Sequence, residues 1–499
     1  MKKYFNRIAI VLVSVTGLVA CEDFLEREPL GRYTTETYPT GGLTQFVYGM
    51  YSELRTGGVH GFPFVGIFSI TSDDSDKGST PADAPAQIEL DNFTVLPTNG
   101  LLNTFYTGHY NAINKANVVL NEADSSLSAG AISEEDFNLS TAEARFVRGY
   151  LYFNLVRTFG GVPLVDALVT DQGEFNIPRA SESEIYGLIV SDLQFAATHL
   201  PVEWDAAFVG RPQQTSAQGL LAKVYAYQEN WALALESAQQ VIGSGQHDLS
   251  TPYGTIFTEA GENSSESLFE IQNLRNESHN FPSDYARVQG VRGSGQWDFG
   301  WGFNSPSMQL VNAYEPGDPR EDATILYAGE TTPYGETLPE ALPVGSLPNE
   351  RYNQKVYTNP TYRLAANNRQ GDWVNVRILR YADVVLIAAE AANELGETDL
   401  ALQYLEMVRA RARGGNAAIL PEITERDQAA LRDLIRHERR IELALEHERF
   451  FDLVRWGIAA EALHAAGKTN FVEGKHEVMP IPQAEIDRSN GVLTQNPGY

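Results

Sequence analysis

Two segments of the chain carry the same spacing of small and apolar residues, and this repeat restricts the fold more than any other feature. In each segment the later positions follow the first by 1, 4, 13 and 17 residues. Spacings near 3.6 residues place side chains on one face of a helix, and the longer gap leaves room for a turn. The positions are Leu221, Ala222, Tyr225, Ala234 and Ala238 in the first segment, and Ala388, Ala389, Ala392, Ala401 and Leu405 in the second. We predict two helical hairpins that pack closely through small residues.

The repeat resembles the tetratricopeptide helix pair, which implies a scaffold of stacked helices. Four further stretches have helical patterns: Leu43–Leu54, Asn103–Asp124, Thr141–Phe159 and Ser181–Leu200. The last opens with Ser181 and has Glu184 three residues later, which is a capping-box pattern. Residues 243–372, between the hairpins, are rich in Gly, Pro, Asn, Ser and Tyr and predict loops with short strands. We therefore predict a mainly α protein, in which a tetratricopeptide-like helical scaffold carries long irregular loops and a few short strands that form a ligand-binding face.

The N-terminus has the pattern of a targeting segment. Lys2, Lys3 and Arg7 precede an apolar run, Ile8 to Val19, that is too short to span a bilayer comfortably. The next residues, Leu18-Val19-Ala20-Cys21, resemble the bacterial lipobox, in which the cysteine is lipidated. Cys21 is the single cysteine of the chain, so no intramolecular disulfide can form. We predict a lipoprotein signal peptide over residues 1–20, a mature domain over residues 21–499 and lipidation at Cys21.

The acidic residues that follow Cys21, in the run Glu22-Asp23-Phe24-Leu25-Glu26, resemble the surface-export signal of some bacterial lipoproteins. This resemblance predicts that the protein is anchored in the outer membrane and faces the extracellular side. The formal net charge of −28 argues against nucleic acid as a partner, because phosphate binding depends on basic side chains.

The charged stretch Ile435–Gly457 contains two histidines beside arginines and glutamates, and it invites a metal-site hypothesis. It lacks proline and internal glycine, so we predict one helix that ends at Gly457. In that helix His437 and His447 would lie roughly 15 Å apart along the axis, because each residue rises about 1.5 Å. One zinc ion cannot contact both, so we predict an interhelical or solvated charge network.

Motifs for catalysis and cofactors are missing from the sequence. It contains no nucleophile elbow of the form G-x-S-x-G, no Walker loop and no dinucleotide G-x-G-x-x-G. Thr71–Ser79 has the acidic residues of a calcium loop, but counted from Asp73 the third, fifth and twelfth positions are Ser75, Lys77 and Ala84, where the EF-hand pattern has Asp or Asn, Asp or Asn, and Glu. We predict no cofactor, with a structural calcium ion at this stretch as the weaker alternative, and we assign Asp73 and Asp74 to polar contacts with a ligand.

The aromatic run Gly295–Phe303 is the strongest binding candidate. Trp297, Phe299, Trp301 and Phe303 alternate, so in an extended chain their rings would project from one face. Such rings can lie flat on the apolar C–H faces of sugars. The alternative is a buried strand that packs its rings onto the helices. The predicted ligand-binding residues are Trp297, Trp301, Phe299, Tyr285, Arg287, Arg292, Asp73 and Asp74.

Several motifs together resemble the SusD/RagB family of outer-membrane nutrient-binding lipoproteins. They occur in family order over essentially the whole mature chain, as Ala112–Leu120, Ala142–Val165, Pro306–Arg320, Arg380–Gly396, Glu448–Gly457 and Pro480–Tyr499. The resemblance implies a binding protein without enzymatic activity, which captures an oligosaccharide or polysaccharide, or a peptide in some branches. It also implies a partner, a SusC-like TonB-dependent outer-membrane transporter that receives the glycan.

Two other classes of protein stay open at this point. A helical glycoside hydrolase needs two carboxylates at a defined separation, and the 65 acidic residues leave that option available. A tetratricopeptide scaffold that only assembles other proteins would need no cluster of exposed tryptophans. The family resemblance also disfavours starch as the glycan: starch-binding members use aromatic residues from a loop early in the chain, and residues 60–110 contain no tryptophan here.

Overall fold

The computed structural model describes residues 42–170, 176–276, 278–340 and 348–499. The predicted signal peptide and Cys21 lie outside these residues. The α-helices of the first half are α1 (Leu43–Leu54), α2 (Gly57–His60), α3 (Phe62–Val65), α4 (Pro85–Asp91), α5 (Gly100–Ser128), α6 (Glu134–Phe159), α7 (Glu182–His199), α8 (Gln214–Tyr227) and α9 (Trp231–Gly243). The remaining α-helices are α10 (Tyr253–Ile256), α11 (Tyr285–Gln289), α12 (Met308–Val311), α13 (Arg320–Thr324), α14 (Pro360–Ala365), α15 (Tyr381–Glu394), α16 (Thr398–Arg413), α17 (Gln428–Glu442), α18 (Arg449–Arg455), α19 (Ala459–Ala465) and α20 (Gln483–Arg488).

The strands are short and pair in twos. They are β1 (Ser75–Gly78), β2 (Ser267–Ile271), β3 (Leu274–Arg275), β4 (Asn280–Phe281), β5 (Phe303–Pro306), β6 (Ile325–Tyr327), β7 (Arg351–Asn353) and β8 (Val376–Arg380). The antiparallel pairs are β1 with β5, β2 with β8, β3 with β4 and β6 with β7. The prediction of a mainly α fold with a few short strands is confirmed.

The two predicted hairpins are α8–α9 and α15–α16. All ten residues of the repeat are buried, and none is more than 6% exposed. The alanines let the helix backbones approach closely, and α9 then packs against α15, so the two hairpins stack on each other. The main hydrophobic core runs from Leu43 to Ile481 through this scaffold.

The helix ends follow the local capping chemistry. The Ser181 hydroxyl accepts a hydrogen bond from the Glu184 amide, and the Glu184 carboxylate accepts one from the Ser181 amide, which confirms the predicted capping box. The predicted helix Thr141–Phe159 ends where expected, before Gly160, but α6 begins earlier, at Glu134. Its start is a second capping box, formed by Ser133 and Asp136.

The prediction of one continuous helix over Ile435–Gly457 is wrong. Helix α17 ends at Glu442, and α18 begins at Arg449. Between them Leu445 and His447 have φ angles of 62° and 71°, which a regular helix does not contain. The local residues are good helix formers, so the break must come from distant contacts.

The side chains of Glu446 and Glu448, which lie between the two helices, make these distant contacts. The Glu446 carboxylate accepts hydrogen bonds from Lys355 Nζ at 2.6 Å and from Arg380 Nε at 2.6 Å. Glu448 pairs with Lys223 at 3.0 Å and with Arg157 at 3.1 Å. A straight helix could not direct both carboxylates to cations on these different elements, so tertiary ion pairs override the helix propensity.

The charge network is centred on Glu442, which is fully buried. Its carboxylate pairs with Arg411 at 2.5 Å and with Arg320 and Arg380 at 3.2 Å each. Burial alone would raise the pKa of Glu442, but the fields of Arg411, Arg380 and Arg320 lower it from 4.5 to about 2. The predicted charge network is therefore present, and its arginines come from α13, β8 and α16.

Replacing Glu442 by Gln is expected to lower the free energy of unfolding by roughly 3–5 kcal/mol at pH 7, because buried arginines lose a carboxylate. The folded-state pKa lies below the ordinary value, so the stability that Glu442 contributes is fully present above pH 4.5 and is lost as the pH falls towards 2. The difference between wild type and E442Q, measured by urea unfolding of residues 22–499, should therefore shrink over that range. Asp399→Asn removes an exposed pair with Arg426 and should change stability little. Equal effects of the two substitutions would contradict this interpretation.

Candidate functional site

The pairing of β1 with β5 brings together two loops that are more than 200 residues apart in the chain. Gly78 lies opposite Phe303, and the Ser79 amide donates to the Gly302 carbonyl at 2.6 Å. The Arg292 guanidinium then donates to the Ser79 hydroxyl and to the Asp83 carboxylate. The loop that follows β1 is thus fastened to the loop that precedes β5.

Asp83 is the anionic centre of this junction. Besides Arg292, it accepts a hydrogen bond from Lys77 Nζ at 3.2 Å. Partial burial alone would raise the pKa of Asp83, but the hydrogen bonds from Arg292, Ser79 and Lys77 lower it. The carboxylate therefore stays ionised at neutral pH and can accept hydrogen bonds from a ligand.

The aromatic run is folded back on the segment that precedes it. The Trp301 amide donates to the Arg287 carbonyl at 2.8 Å, and the Phe299 amide donates to the Val291 carbonyl at 3.0 Å. Gly300 lies inside this contact, where an added Cβ would be 2.4 Å from the Arg287 carbonyl oxygen. Only glycine allows the two backbone segments to approach so closely.

The two tryptophans are each held in place by a neighbouring phenylalanine. Trp301 makes a T-shaped contact with Phe62 at 5.6 Å, and Trp297 makes one with Phe299 at 6.0 Å. The Arg287 guanidinium lies over the Trp301 ring at 4.9 Å. Both indoles are partly exposed. We call Trp297, Trp301, Arg287, Arg292 and Asp83 the tryptophan surface.

The prediction that four rings project from one face of an extended chain is wrong. Gly295–Trp297 forms a 3₁₀ turn, and Gly302 has a φ of 71°, so the alternation of an extended strand is interrupted. Phe299 and Phe303 are buried, at 5% and 4% exposure. The run therefore divides into two core rings and two partly exposed tryptophans, and the buried Phe299 ring packs against Trp297.

Tyr285, Asp73 and Asp74, which we predicted to contact the ligand, are also buried in the structure, at 8%, 4% and 1% exposure. The Tyr285 hydroxyl is hydrogen bonded to His447 at 2.8 Å, and burial raises its pKa. Because their side chains are buried, none of the three forms part of an exposed ligand-binding face.

Asp73 and Asp74 are ion-pair partners of the C-terminal helices. Arg449 donates to both oxygens of Asp73, at 2.8 and 2.9 Å, and Arg440 donates to Asp74 at 2.7 Å. Arginines thus occupy the place where the alternative hypothesis put a calcium ion. Across the described ranges, no group of three or more His, Cys, Asp or Glu side chains is arranged to hold a metal ion.

Sequence reasoning missed Asp83, Ser79 and Phe62. Each belongs to a short polar or glycine-containing stretch with no periodic signal, and their partners Arg292, Gly302 and Trp301 are more than 200 residues away. The residue pattern around Asp83 does not distinguish it from other exposed loop acids. In the part of the chain that the structure describes, no helix is both long and apolar enough to cross a membrane.

Comparisons with known proteins agree with this architecture. A family model described as the SusD family matches residues 265–499, and one described as "Starch-binding associating with outer membrane" matches residues 63–226. SusD-like protein P2 of Formosa agariphila is 31% identical, over 100% of this chain and 100% of its own length. The chain belongs to the SusD family.

Solved structures show the same fold. A structure described as a laminarin binding SusD-like protein has a TM-score of 0.75 at 28% identity and covers 92% of this chain and 99% of its own. Surface glycan-binding protein A from Bacteroides thetaiotaomicron, solved in complex with laminarihexaose, has a TM-score of 0.75 at 24% identity, with 91% of this chain and 99% of that chain covered. The overall fold is therefore shared with these proteins.

Replacing Gly300 by Ala should destabilise residues 22–499 by about 1–3 kcal/mol, because the new methyl overlaps the Arg287 carbonyl oxygen and forces the two segments apart. The matched control is Gly187→Ala on the exposed face of α7, where an added Cβ meets no atom within 4 Å. It should leave the melting temperature unchanged or raise it, since alanine favours the helix. A G300A protein that melts with wild type would show that the close approach of the two segments does not exist.

Proposed function

We propose that this protein is a cell-surface lipoprotein that binds an oligosaccharide or polysaccharide on the tryptophan surface and delivers it to a TonB-dependent outer-membrane transporter. The observation that carries the proposal is the pair of partly exposed indoles, Trp297 and Trp301, on a segment where Arg287 lies over the Trp301 ring and Arg292 pairs with Asp83. Membership of the SusD family and the similarity to a laminarin binding SusD-like protein support glycan as the ligand.

The chemistry of the tryptophan surface suits a sugar. An indole offers a flat apolar face to the C–H groups of a pyranose ring, while guanidinium and carboxylate groups donate to and accept from its hydroxyls. The rings are already positioned by Phe62 and Phe299, so little conformational entropy is lost when a ligand binds. The Arg292–Asp83 pair fixes the two loops relative to each other in the same way.

The anchor and the transporter belong to the same proposal. Cys21, in its lipobox, would hold the protein in the outer membrane, and two or three acyl chains at about 0.8 kcal/mol per buried methylene make such attachment effectively permanent. A tether in the plane of the membrane also raises the effective concentration of the protein near a membrane-embedded partner. A protein that only binds its ligand needs such a partner to transport the ligand.

Trp297→Ala and Trp301→Ala should each weaken glycan binding by roughly 1 kcal/mol, or about fivefold, because each removes one stacking ring. Binding of residues 22–499 is measured by affinity electrophoresis in gels that contain laminarin, soluble starch, xylan or galactomannan. Trp231→Ala removes a partly exposed tryptophan at the start of α9, far along the chain from the loops, and serves as the matched control. Melting curves confirm that each variant is folded.

If the polysaccharide slows both tryptophan variants in the gel as much as it slows wild type, the tryptophan surface is not the binding site. If wild type binds none of the polysaccharides but binds peptides from a casein digest, the peptide-binding alternative is favoured. Release of reducing ends from any of the polysaccharides would favour the glycoside hydrolase.

Tagged full-length protein, purified in mild detergent from its native membrane, should bring down a large outer-membrane transporter in near-equal amount. A permanent pairing of this kind buries more than about 2,000 Å² of total surface, which is enough to survive purification. Cys21→Ala should move the protein out of the membrane fraction and abolish the recovery. Membrane retention of C21A after a high-salt wash would place the anchor elsewhere, and repeated preparations without a transporter would contradict delivery.

A further inference from the structure

A cavity of about 850 Å³ lies between α1, the loop at residues 207–211 and the β3–β4 hairpin. None of the described residues that line it belongs to the tryptophan surface. Its volume falls within the range of about 300–1,000 Å³ that is typical of small-molecule sites. We call it the helix–hairpin groove.

Three aromatic rings are exposed around this groove. Tyr48 of α1, Phe208 of the 3₁₀ turn Ala206–Phe208 and Phe281 of β4 are 49%, 36% and 45% exposed. They come from three separate elements, so their exposure is not the edge of one poorly packed helix or strand. Exposed rings that converge on a concavity are typical of a binding site.

Two of the rings are held in position by one buried ion pair. The Arg211 guanidinium lies 5.8 Å from the Tyr48 ring, 5.4 Å from the Phe208 ring and 4.3 Å from the Trp204 ring. It donates to both oxygens of Glu143 on α6, each at 2.7 Å, and Glu143 is 1% exposed. This wall of the groove is therefore anchored in the helical scaffold before any ligand arrives.

The opposite wall combines a ring with a hydrogen-bond donor. The Arg55 guanidinium lies 4.9 Å from the Phe281 ring and donates to the Ser52 hydroxyl at 2.8 Å. Among the residues that the structure describes, no carboxylate forms an ion pair with Arg55, so its remaining N–H groups are available to a ligand. Glu262, which also lines the groove, supplies carboxylate oxygens, one of which accepts a hydrogen bond from the Asn375 amide at 2.8 Å.

We infer that the helix–hairpin groove is a second saccharide-binding site, which takes a neutral sugar segment of the glycan that the tryptophan surface binds. The inference rests on the proposed function for the class of ligand. Rings that flank one donor and one acceptor match a ligand with apolar faces and hydroxyl edges. Two sites on one chain would let a polymer bind by both, which increases its apparent affinity without new contacts.

The test compares four forms of residues 22–499: wild type, Tyr48→Ala with Phe281→Ala, Trp297→Ala with Trp301→Ala, and all four substitutions together. Each is run in affinity gels that contain laminarin, soluble starch, xylan or galactomannan. The groove variant should bind the polysaccharide that retards wild type about 25-fold more weakly than wild type does, since two stacking rings are lost at about fivefold each. The variant with all four substitutions should bind more weakly than either double variant. Tyr362→Ala, at a ring that is 48% exposed and lines neither site, is the matched control and should bind like wild type.

The outcomes separate the two sites. A groove variant that binds every polysaccharide like wild type overturns the second site and leaves the proposed function standing. If the groove variant binds more weakly and the tryptophan variant binds like wild type, the groove is supported as a saccharide-binding site and the tryptophan surface is not. If none of the polysaccharides binds the wild-type protein, both the second site and the proposed function are overturned. The four substituted rings are partly exposed, and melting curves establish that the variants are folded.

Discussion

The fold depends on carboxylates that are buried among arginines from distant parts of the chain. Glu442 contacts arginines of α13, β8 and α16, and Asp383 of α15 pairs with Lys223 of α8 and Arg439 of α17. A buried pair contributes little net stability when both partners are counted, but leaving one charge unpaired is severely destabilising. We infer that the network acts mainly on specificity, because an arrangement of these helices that left one of these buried charges unpaired would be strongly destabilised.

The same network supports the candidate ligand-binding loops. Arg440 and Arg449, on either side of the break between α17 and α18, hold Asp73 and Asp74 immediately before β1. Strand β1 pairs with β5, and this pairing brings Asp83 to Arg292 and the Ser79 amide to Gly302. The tryptophan surface is thus connected to the helical scaffold through a few ion pairs and one short sheet. Loops that are fixed in this way can present their rings in one orientation.

Local patterns predicted the scaffold well. The small-residue repeat and the Ser181–Glu184 capping box depend on neighbours within a few residues or one hairpin, and both were found as predicted. Non-local contacts explain the failures. The helix over Ile435–Gly457 is broken because Glu446 and Glu448 turn to cations up to 291 residues away, and the four-ring face is lost because Gly302 takes a positive φ beside the β1–β5 pair. Asp83 and the helix–hairpin groove bring together residues whose sequence surroundings carry no periodic signal.

Hydrogen exchange of residues 22–499, with and without the polysaccharide that the wild-type protein retains, tests the central claim most directly. Glycan binding on loops that a rigid ionic frame holds in place predicts slower exchange at residues 79–84 and 287–302, and unchanged exchange in the hairpins α8–α9 and α15–α16. Protection confined to the helical hairpins, with exchange in the loops unaltered by saturating polysaccharide, would contradict it.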